Sequence, residues 1–467
     1  MSANQLDEFV SWRELLNRQY GASLALVCLG VWLHAADSLI VATMLPSMID
    51  DIGGVALVSW TVSLYQMGSI VAGASSALLT MRYGLRWPMM VAVLMFGLGC
   101  GISAMAPNMW VVLIGRLLQG FGGGGMVAMS FVAVGIIFPR RLIARALAAV
   151  STLWGVSAFL GPLIGGFFVE FASWRMGFWF FAAQAVLLAG WILFGAKISV
   201  KRSDDVTGTV PMFRLLLLAA GIVLVAYGGI HIAPLRTSAL IVAGLVCLLL
   251  FLKVDAGQGA NRLLPAGPFD VRKPAGSALL MVLVLSMGTV ALTAYGPLLL
   301  TLIHNASALS AGYMIACSSI GWTVMAVLVS GSPERHDGTF IASGMLTVGI
   351  SIIGFIYSVP NGPFWLIAVF AALQGGGFGM AWTFILRRTT ALAPPHETHR
   401  ISAALPTVQR LGYALGAAYT GIVANAVGFE NNLSPIDAAD AARLIFVSSL
   451  PFAVIGLFAM SRLVRNA

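Results

Sequence analysis

Long apolar stretches without charged residues are the main pattern in this sequence. Residues 52–81, 146–169, 176–196 and 215–235 carry no charged side chain. Each stretch is long enough to cross ~30 Å of hydrocarbon as a helix, and longer ones are divided by turn residues such as those at 360–363. The pattern predicts fourteen spans. They lie near residues 21–46, 54–80, 87–106, 109–133, 146–170, 175–196, 213–232, 235–252, 276–303, 309–331, 339–358, 362–385, 402–427 and 444–461.

Composition agrees with this pattern. Hydrophobic residues make up 59% of the chain and charged residues 9%, against about 25% charged residues in ordinary soluble domains. A soluble fold is therefore excluded, and we predict an all-α membrane protein. Cys28, Cys100, Cys247 and Cys317 fall in apolar spans without metal-ligand spacing. We expect buried thiols, no metal site and no cofactor.

The positions of the basic residues indicate the orientation. A net charge of +9 in a soluble protein would suggest nucleic acid as a partner. With the N-terminus in the cytoplasm, however, only Arg175, Arg236 and Arg443 fall outside, and Arg116 and Arg410 lie within spans. The other lysines and arginines face the cytoplasm. The positive-inside rule therefore predicts a multi-pass cell (inner) membrane protein with both termini cytoplasmic and no nucleic-acid partner.

An internal repeat organises the spans. Residues 118–122, Leu-Gln-Gly-Phe-Gly, resemble residues 373–377, Leu-Gln-Gly-Gly-Gly, at an offset of 255 positions. The same offset gives two further matches, Gly161 with Gly416 and Gly166 with Gly421. The repeats are eight spans apart, so spans 7 and 8 are interpreted as an insertion between two six-helix bundles. In parallel repeats of this kind, the binding site lies at the midplane between the halves.

The repeat divides the chain into five predicted segments. Residues 1–20 form a cytoplasmic amphipathic segment, 21–198 the N-terminal six-helix bundle, 199–254 a cytoplasmic loop plus two inserted helices, 255–275 a cytoplasmic linker, and 276–467 the C-terminal six-helix bundle. We expect the protein to act as a monomer in the lipid bilayer.

Asp37 is the only one of the seventeen acidic residues that lies well inside an uninterrupted apolar span. A carboxylate in hydrocarbon is costly without a partner, a proton or water, so such a residue usually marks an ion or substrate pathway. Asp37 lies ~13 Å from the outer end of span 1, and Arg116 lies ~10 Å from the outer end of span 4. We predict that Arg116 holds Asp37 ionised until substrate displaces it. A fixed ion pair that joins two helices is the alternative.

Further polar and aromatic side chains are candidates for the same site. His34 shares a helix face with Asp37 and is a candidate proton relay, with a packing histidine as the alternative. The candidate substrate contacts are Tyr65, Gln119, Trp154 and Gln374, the last being the repeat equivalent of Gln119.

Two other arginines are assigned structural roles. Arg410 lies inside span 13 and is expected to extend towards the interface or to bind a carbonyl group at a span end. Glu170 and Arg175 flank the short turn between spans 5 and 6, and we expect them to form a solvated pair of little energetic weight.

Four spans carry motifs. Span 1 has Asp37 followed by Leu45-Pro46, span 2 has Trp60 and Tyr65, span 4 has Arg116-Leu117-Leu118-Gln119-Gly120, and span 5 has Gly161-Pro162-Leu163-Ile164-Gly165-Gly166. Together they resemble the major facilitator superfamily, specifically its fourteen-span drug:proton antiporters. The resemblance implies the major facilitator fold. It also implies that Gly161, Pro162, Gly165 and Gly166 seal the path between the halves, with simple close packing as the alternative.

The loop between spans 2 and 3 departs from the family pattern. It keeps Arg82, Gly84 and Arg86, which the resemblance assigns to gating. Where the family has an aspartate, this chain has Met81. The acid that holds the cytoplasmic gate in the family is therefore missing, which leaves the fold intact but alters the gating interactions.

These observations predict a secondary transporter. It exports hydrophobic or amphiphilic, including cationic, small molecules by alternating access and is driven by protons. A transporter of lipids or amphiphilic metabolites with the same fold, and a membrane sensor that has lost transport, are the alternatives. An intramembrane enzyme is excluded, because the chain has neither paired membrane aspartates nor an HExxH or GxSxG motif with a suitable partner.

Overall fold

The computed structural model describes residues 12–17, 19–194, 210–429 and 434–465, and all the regular elements in these ranges are helical. The α-helices are α1 (Trp12–Leu15), α2 (Gly21–Ile52), α3 (Val58–Tyr83), α4 (Arg86–Ala104), α5 (Met109–Ile137), α6 (Arg140–Phe171), α7 (Trp174–Phe194), α8 (Met212–Gly228), α9 (Pro234–Ala256), α10 (Pro274–His304), α11 (Ala308–Val329), α12 (Asp337–Asn361), α13 (Phe364–Ala391), α14 (Thr398–Ala426), α15 (Pro435–Val447) and α16 (Leu450–Arg465). Each predicted span overlaps the helix numbered one higher, and span 14 overlaps the end of α15 and most of α16.

Twelve helices of the described chain are long and apolar enough to cross a membrane, when α15 and α16 are taken as one. This confirms a multi-pass, all-α membrane protein. The number is lower than the fourteen spans expected from the sequence, because α8 has only 17 residues and α14 is not among the twelve. Helix α14 carries polar residues along part of its length. It packs between α10, α3 and α8, so less of its surface needs to be compatible with lipid.

Successive long helices run in opposite directions. We call the end of the bundle at which α2 begins the near end, and the end at which α2 stops the far end. At the far end, Asp51 of α2 pairs with Arg175 at the start of α7. At the near end, the Arg86 side chain of α4 donates to the Ile192 carbonyl group at the end of α7, at 3.1 Å. The two ends are therefore fastened by different side chains.

Several helix boundaries have a local cause. The side chain of Asn108 accepts a hydrogen bond from the backbone N–H of Val111 and begins α5, and Ser307 caps α11 in the same way. Between α3 and α4, Gly84 has a φ angle of +75°. A residue without a Cβ atom adopts this angle at no steric cost, so the turn uses the glycine of the loop motif.

The two halves make equivalent packing contacts at positions that the repeat relates. A Cβ atom on Gly161 would lie 2.8 Å from the Cβ atom of Leu39 on α2, and one on Gly416 would lie 2.6 Å from the Cα atom of Met287 on α10. Both glycines thus touch the first long helix of their own half. The second glycine pair that the repeat relates, Gly166 and Gly421, instead touches the opposite half: Gly166 meets Leu309 of α11 and Gly421 meets Ser59 of α3.

Helices α8 and α9 pack against each other, and α8 also contacts α3 and α14. At the near end, the carboxylate of Asp255 accepts hydrogen bonds from Arg214 at 2.5 Å and from the backbone N–H groups of Leu263 and Leu264. This fixes the start of α8 to the segment that follows α9. Parts of the predicted segments 1–20 and 199–254, namely residues 1–11, 18 and 199–209, lie outside the described residues.

Candidate functional site

A buried ion pair lies at the centre of the first half. Nη1 of Arg116 on α5 is 2.5 Å from Oδ2 of Asp37 on α2, and the two side chains are 4% and 1% exposed. The same Nη1 is 2.6 Å from Oε1 of Gln119, and the Arg116 Nε donates to the Thr61 carbonyl group at 3.4 Å. The guanidinium therefore joins α2, α3 and α5.

Glycines of α5 provide the space for this arrangement. A Cβ atom on Gly123 would lie 2.6 Å from Nδ1 of His34 and 3.2 Å from the hydroxyl oxygen of Tyr65, and one on Gly120 would overlap the Tyr65 carbonyl group. Any larger residue would push α3 or the His34 ring away from α5. The glycine run of span 4 thus sets how closely the polar side chains approach one another.

A row of rings continues from the ion pair. The Arg116 Cζ atom lies 4.1 Å from the centroid of the Tyr65 ring, within the range of a cation–π contact. The Tyr65 hydroxyl group is 2.8 Å from Nδ1 of His34, and the two rings are stacked with centroids 5.3 Å apart. The Trp154 ring follows in an edge-to-face arrangement with His34, with the ring centroids 5.9 Å apart. The structure thus brings together five residues that the sequence singled out: Asp37, Arg116, Tyr65, His34 and Trp154.

The two candidate glutamines lie in different places. Gln119 is completely buried: its Oε1 accepts from Arg116, and its Nε2 donates to the Cys100 sulfur at 3.2 Å. Gln374 lies in the second half, where its Nε2 donates to the Thr289 carbonyl group at 3.4 Å. In this conformation both amides serve protein contacts, and their assignment as substrate contacts stays a prediction.

Arg410 joins this region from the opposite half, which the sequence did not predict. Its Nη1 is 2.5 Å from Oγ of Ser69 on α3. It binds this buried hydroxyl group rather than the expected carbonyl group at a span end. The orientation of a side chain on α14 depends on which helix packs against it, and the hydrophobic pattern alone does not give that partner.

The predicted pair of Arg175 with Glu170 is wrong. Arg175 pairs with Asp51, and the carboxylate of Asp51 also accepts a hydrogen bond from Nε1 of Trp174 at 3.0 Å. The cause is the length of α2, which continues beyond Pro46 to Ile52 and carries Asp51 over the start of α7. Proximity in sequence favoured Glu170, but the extra turn of α2 supplies the closer carboxylate.

The span 5 motif lies at a junction of three helices. A Cβ atom on Gly165 would lie 3.0 Å from the Cβ atom of Thr43 on α2. Pro162 faces Gly312 of α11, where a Cβ atom on the glycine would lie 2.9 Å from the proline Cβ atom. With Gly161 on α2 and Gly166 on α11, the motif therefore packs α6 against its own half and the opposite half together. Its predicted role in gating stays a prediction.

The loop motif contributes contacts at the near end. Besides the bond from Arg86 to α7, the Arg82 guanidinium lies 5.7 Å from the Tyr83 ring, and Gly84 forms the turn. Met81, at the position of the missing acid, is 42% exposed. In the second half, an acid does pair with an arginine at the near end, because Asp337 at the start of α12 binds Arg387 of α13.

The chemistry available at this site is proton exchange and ion pairing. Removing one partner of a buried ion pair destabilises a protein by roughly 3–5 kcal/mol, because the other charge is left uncompensated. Protonation of Asp37 would therefore change what Arg116 binds. Among the described residues, no group of three or more His, Cys, Asp or Glu side chains lies close enough together to hold a metal ion.

Sequence comparisons give relatives along nearly the whole chain. Residues 27–417 match the model of the Major Facilitator Superfamily. A protein named "Probable multidrug-efflux transporter Rv1634" from Mycobacterium tuberculosis is 30% identical over 430 residues, which cover 89% of this chain and 90% of that protein. "Multidrug efflux pump SdrM" from Staphylococcus aureus is 24% identical over 401 residues, covering 84% and 87%.

Solved structures agree on the fold. A POT family transporter in complex with a thioalcohol-conjugated peptide superposes with a TM-score of 0.68 at 13% identity, covering 95% of this chain and 96% of that one. A bacterial homologue of the human lysosomal transporter Spinster, in an inward-facing and unoccupied conformation, gives a TM-score of 0.60 at 15% identity, covering 96% and 98%. The family match and the relatives named as efflux transporters confirm the prediction of a transporter rather than an enzyme, and the chain belongs to the Major Facilitator Superfamily.

Proposed function

We propose that this protein is a proton-coupled exporter of hydrophobic or amphiphilic small molecules. The observation that carries the proposal is the buried pair of Asp37 and Arg116, 2.5 Å apart, in a chain whose relatives are named multidrug efflux transporters. A carboxylate that alternates between an arginine and a proton is the minimum that a proton-driven exchanger needs. The protein works as a monomer with protons and a small molecule as its partners.

The contacts between the halves support alternating access. At the far end they are tight, since Gly421 meets Ser59 and Gly166 meets Leu309. Towards the near end they loosen: a Cβ atom on Gly155 would lie 3.4 Å from the nearest atom of Thr323, which is ordinary van der Waals contact. This conformation is therefore closed at the far end, and substrate enters from the near end.

The coupling step follows from the network around Arg116. In the conformation open to the near end, Asp37 is ionised and held by Arg116. When the far end opens, a proton binds Asp37, and Arg116 keeps Gln119, the Thr61 carbonyl group and the Tyr65 ring as partners. Release of substrate accompanies this change, and the proton leaves when the near end opens again. His34, bonded to Tyr65, is the relay that we assign between Asp37 and the near end.

Topology follows from the same proposal. We infer fourteen spans, the twelve long apolar helices together with α8 and α14, as in fourteen-span drug:proton antiporters. The segment boundaries at 21–198, 199–254, 255–275 and 276–467 are retained. The near end carries most of the basic residues, so we assign it and both termini to the cytoplasm, in the inner membrane.

The test is transport by purified protein in vesicles with an imposed proton gradient. Asp37→Asn keeps the shape of the side chain and removes its titration, so gradient-driven export of a dye should fall to background while the thermal unfolding temperature changes little. Asp50→Asn is the matched control, because Asp50 lies on the same helix and is exposed at the far end. It should transport like the unmodified protein.

Two results separate the alternatives. Full coupled export by Asp37→Asn would remove Asp37 from the mechanism. If neither the unmodified protein nor the variant moves any compound under a gradient, the sensor is favoured instead. Export of lipids or amphiphilic metabolites in place of dyes would leave the coupling intact and change only the cargo.

A further inference from the structure

The guanidinium of Arg410 is partly buried, and the ion pair of Asp37 and Arg116 does not balance its charge. Its guanidinium bonds to the hydroxyl group of Ser69, and among the described residues no carboxylate lies within 4.0 Å of it. A neutral hydroxyl group satisfies one N–H donor but does not compensate the charge. A guanidinium has five donors in a planar fork that fits a carboxylate, so most of its binding capacity is unused.

The position of Arg410 is the point at which the two halves begin to separate. On the far side of it, Ser63 of α3 donates to the Ala414 carbonyl group of α14 at 3.0 Å, and Gly421 meets Ser59. At Gly73, one turn towards the near end, the only atom within 4 Å of an added Cβ would be Nη1 of Arg410, at 3.9 Å. The guanidinium therefore faces the looser, near-end part of the interface.

Charge and shape around this point indicate the ligand. Asp37 and Arg116 cancel, so with Arg410 the interior carries one net positive charge before His34 is counted. On α6, the Trp154 side chain is 40% exposed and its ring lies against His34, which stacks on Tyr65 one turn from Ser69. An excess positive charge beside an exposed aromatic ring suits an anion with an apolar body and disfavours a cation.

We propose that Arg410 binds the carboxylate of the transported molecule, so that the substrates are amphiphiles with one carboxylate and an aromatic or apolar body. This rests on the proposed transport function and narrows its substrate class. Arg410 belongs to the second half and Ser69 to the first, so a carboxylate bound here contacts both. Its binding replaces the bond to Ser69 and compensates the charge of Arg410 between the halves.

The test is binding rather than transport, measured by isothermal titration calorimetry on the purified full chain. The probes are 2-naphthylacetate, 2-(2-naphthyl)ethanol and (2-naphthylmethyl)trimethylammonium, which share the ring and differ in charge. The unmodified protein should bind the acid about tenfold or more tightly than the alcohol, as expected for a charged hydrogen bond. It should bind the ammonium compound least.

Variants of Arg410 then test whether the preference for the acid depends on this side chain. Arg410→Gln should bind the acid and the alcohol equally, and Arg410→Lys should keep part of the preference because it keeps the charge. Arg462→Gln is the matched control, since Arg462 is an exposed arginine at the near end of α16 that contacts Phe458, and it should keep the full preference.

Equal binding of acid and alcohol by the unmodified protein would overturn the proposal, whatever the variants do. So would an undiminished preference in Arg410→Gln. Failure of the transport function is a different result: the preference for the acid would remain in the binding measurement, but vesicles with a proton gradient would move none of the three probes.

Discussion

At the scale of single residues, the packing of the site depends on a glycine of α5. Gly123 leaves room for the His34 ring and the Tyr65 hydroxyl group, which approach each other to 2.8 Å. The same α5 helix carries Gly135 towards its near end, where an added Cβ would meet nothing within 4 Å. The packing of α5 therefore requires a glycine at position 123 but not at position 135.

Gly123→Ala should therefore disturb the site while Gly135→Ala does not. The added methyl group would force the His34 ring or α3 to move, and overpacking of this kind costs about 1–3 kcal/mol. Thermal unfolding in detergent should show a lower midpoint for Gly123→Ala and an equal or higher one for Gly135→Ala. Equal midpoints for the two variants would contradict the assigned packing.

The sequence predicted some residues of the site and missed others, for physical reasons. The depths of Asp37 and Arg116 follow from the constant rise of a helix, so their contact was predictable. The contact of Arg410 with Ser69 was not, because it depends on the rotation of α14 against α3. Gln119 was expected to face a cavity, but its position one turn from Arg116 makes it a partner of the guanidinium.

At the scale of helices, arginines complete helix ends at the near end. The last four carbonyl groups of a helix have no partner within it. Arg86 donates to the Ile192 carbonyl group of α7, and Arg388 of α13 donates to those of Leu463 and Val464 on α16, at 3.3 and 2.9 Å. In each half, an arginine therefore donates hydrogen bonds to the free carbonyl groups at the end of the last helix. In the first half this arginine is Arg86 of the loop motif.

Arg388→Ala should weaken the second half. It removes two hydrogen bonds from a charged donor, each worth roughly 1.5–3 kcal/mol. Hydrogen exchange should show faster exchange at the end of α16 and unchanged exchange in α7. Arg462→Ala, which removes an exposed arginine of α16 itself, serves as the control and should leave the end of α16 protected.

The predicted bounds agree with the structure within two residues for spans 9 and 10, which match α10 (Pro274–His304) and α11 (Ala308–Val329). Spans 4 and 12 begin close to the starts of α5 and α13 but end before these helices do. The end of α2 was predicted too early, at residue 46, because Pro46 was treated as a stop although the helix continues to Ile52. The polar part of α14 is tolerated because other helices surround it, which its own composition does not reveal.

At the scale of the whole molecule, the halves meet along two seams, α6 with α11 and α3 with α14. Both seams are tightest at the far end. Along the first, the Cβ atom of Thr323 would lie 4.0 Å from a Cβ atom added at Gly155, and a disulfide needs about 3.5–4.5 Å between Cβ atoms. A disulfide between positions 155 and 323 can therefore form at the present spacing of this seam.

The double variant Gly155→Cys with Thr323→Cys should form a disulfide on mild oxidation. The bond would hold the near-end part of the seam at its present spacing, and if that spacing must change as the halves rock during each cycle, transport should stop. Reduction should restore it. Each single variant is a control and should transport under both conditions, whereas undiminished transport by the oxidised double variant would contradict movement along this seam.

Asn425 links α8 and α9 to the boundary between the two halves. Its amide nitrogen donates both to the Ala56 carbonyl group of the first half, at 3.0 Å, and to the Gly229 carbonyl group between α8 and α9, at 2.7 Å. Gly229 also packs directly on Ile422 of α14. In the proposed cycle, opening of the far end would break the bond to Ala56, and α8 and α9, held through Gly229, would travel with the second half. The two moving bodies would then be unequal in mass, and the first half would swing against a heavier partner.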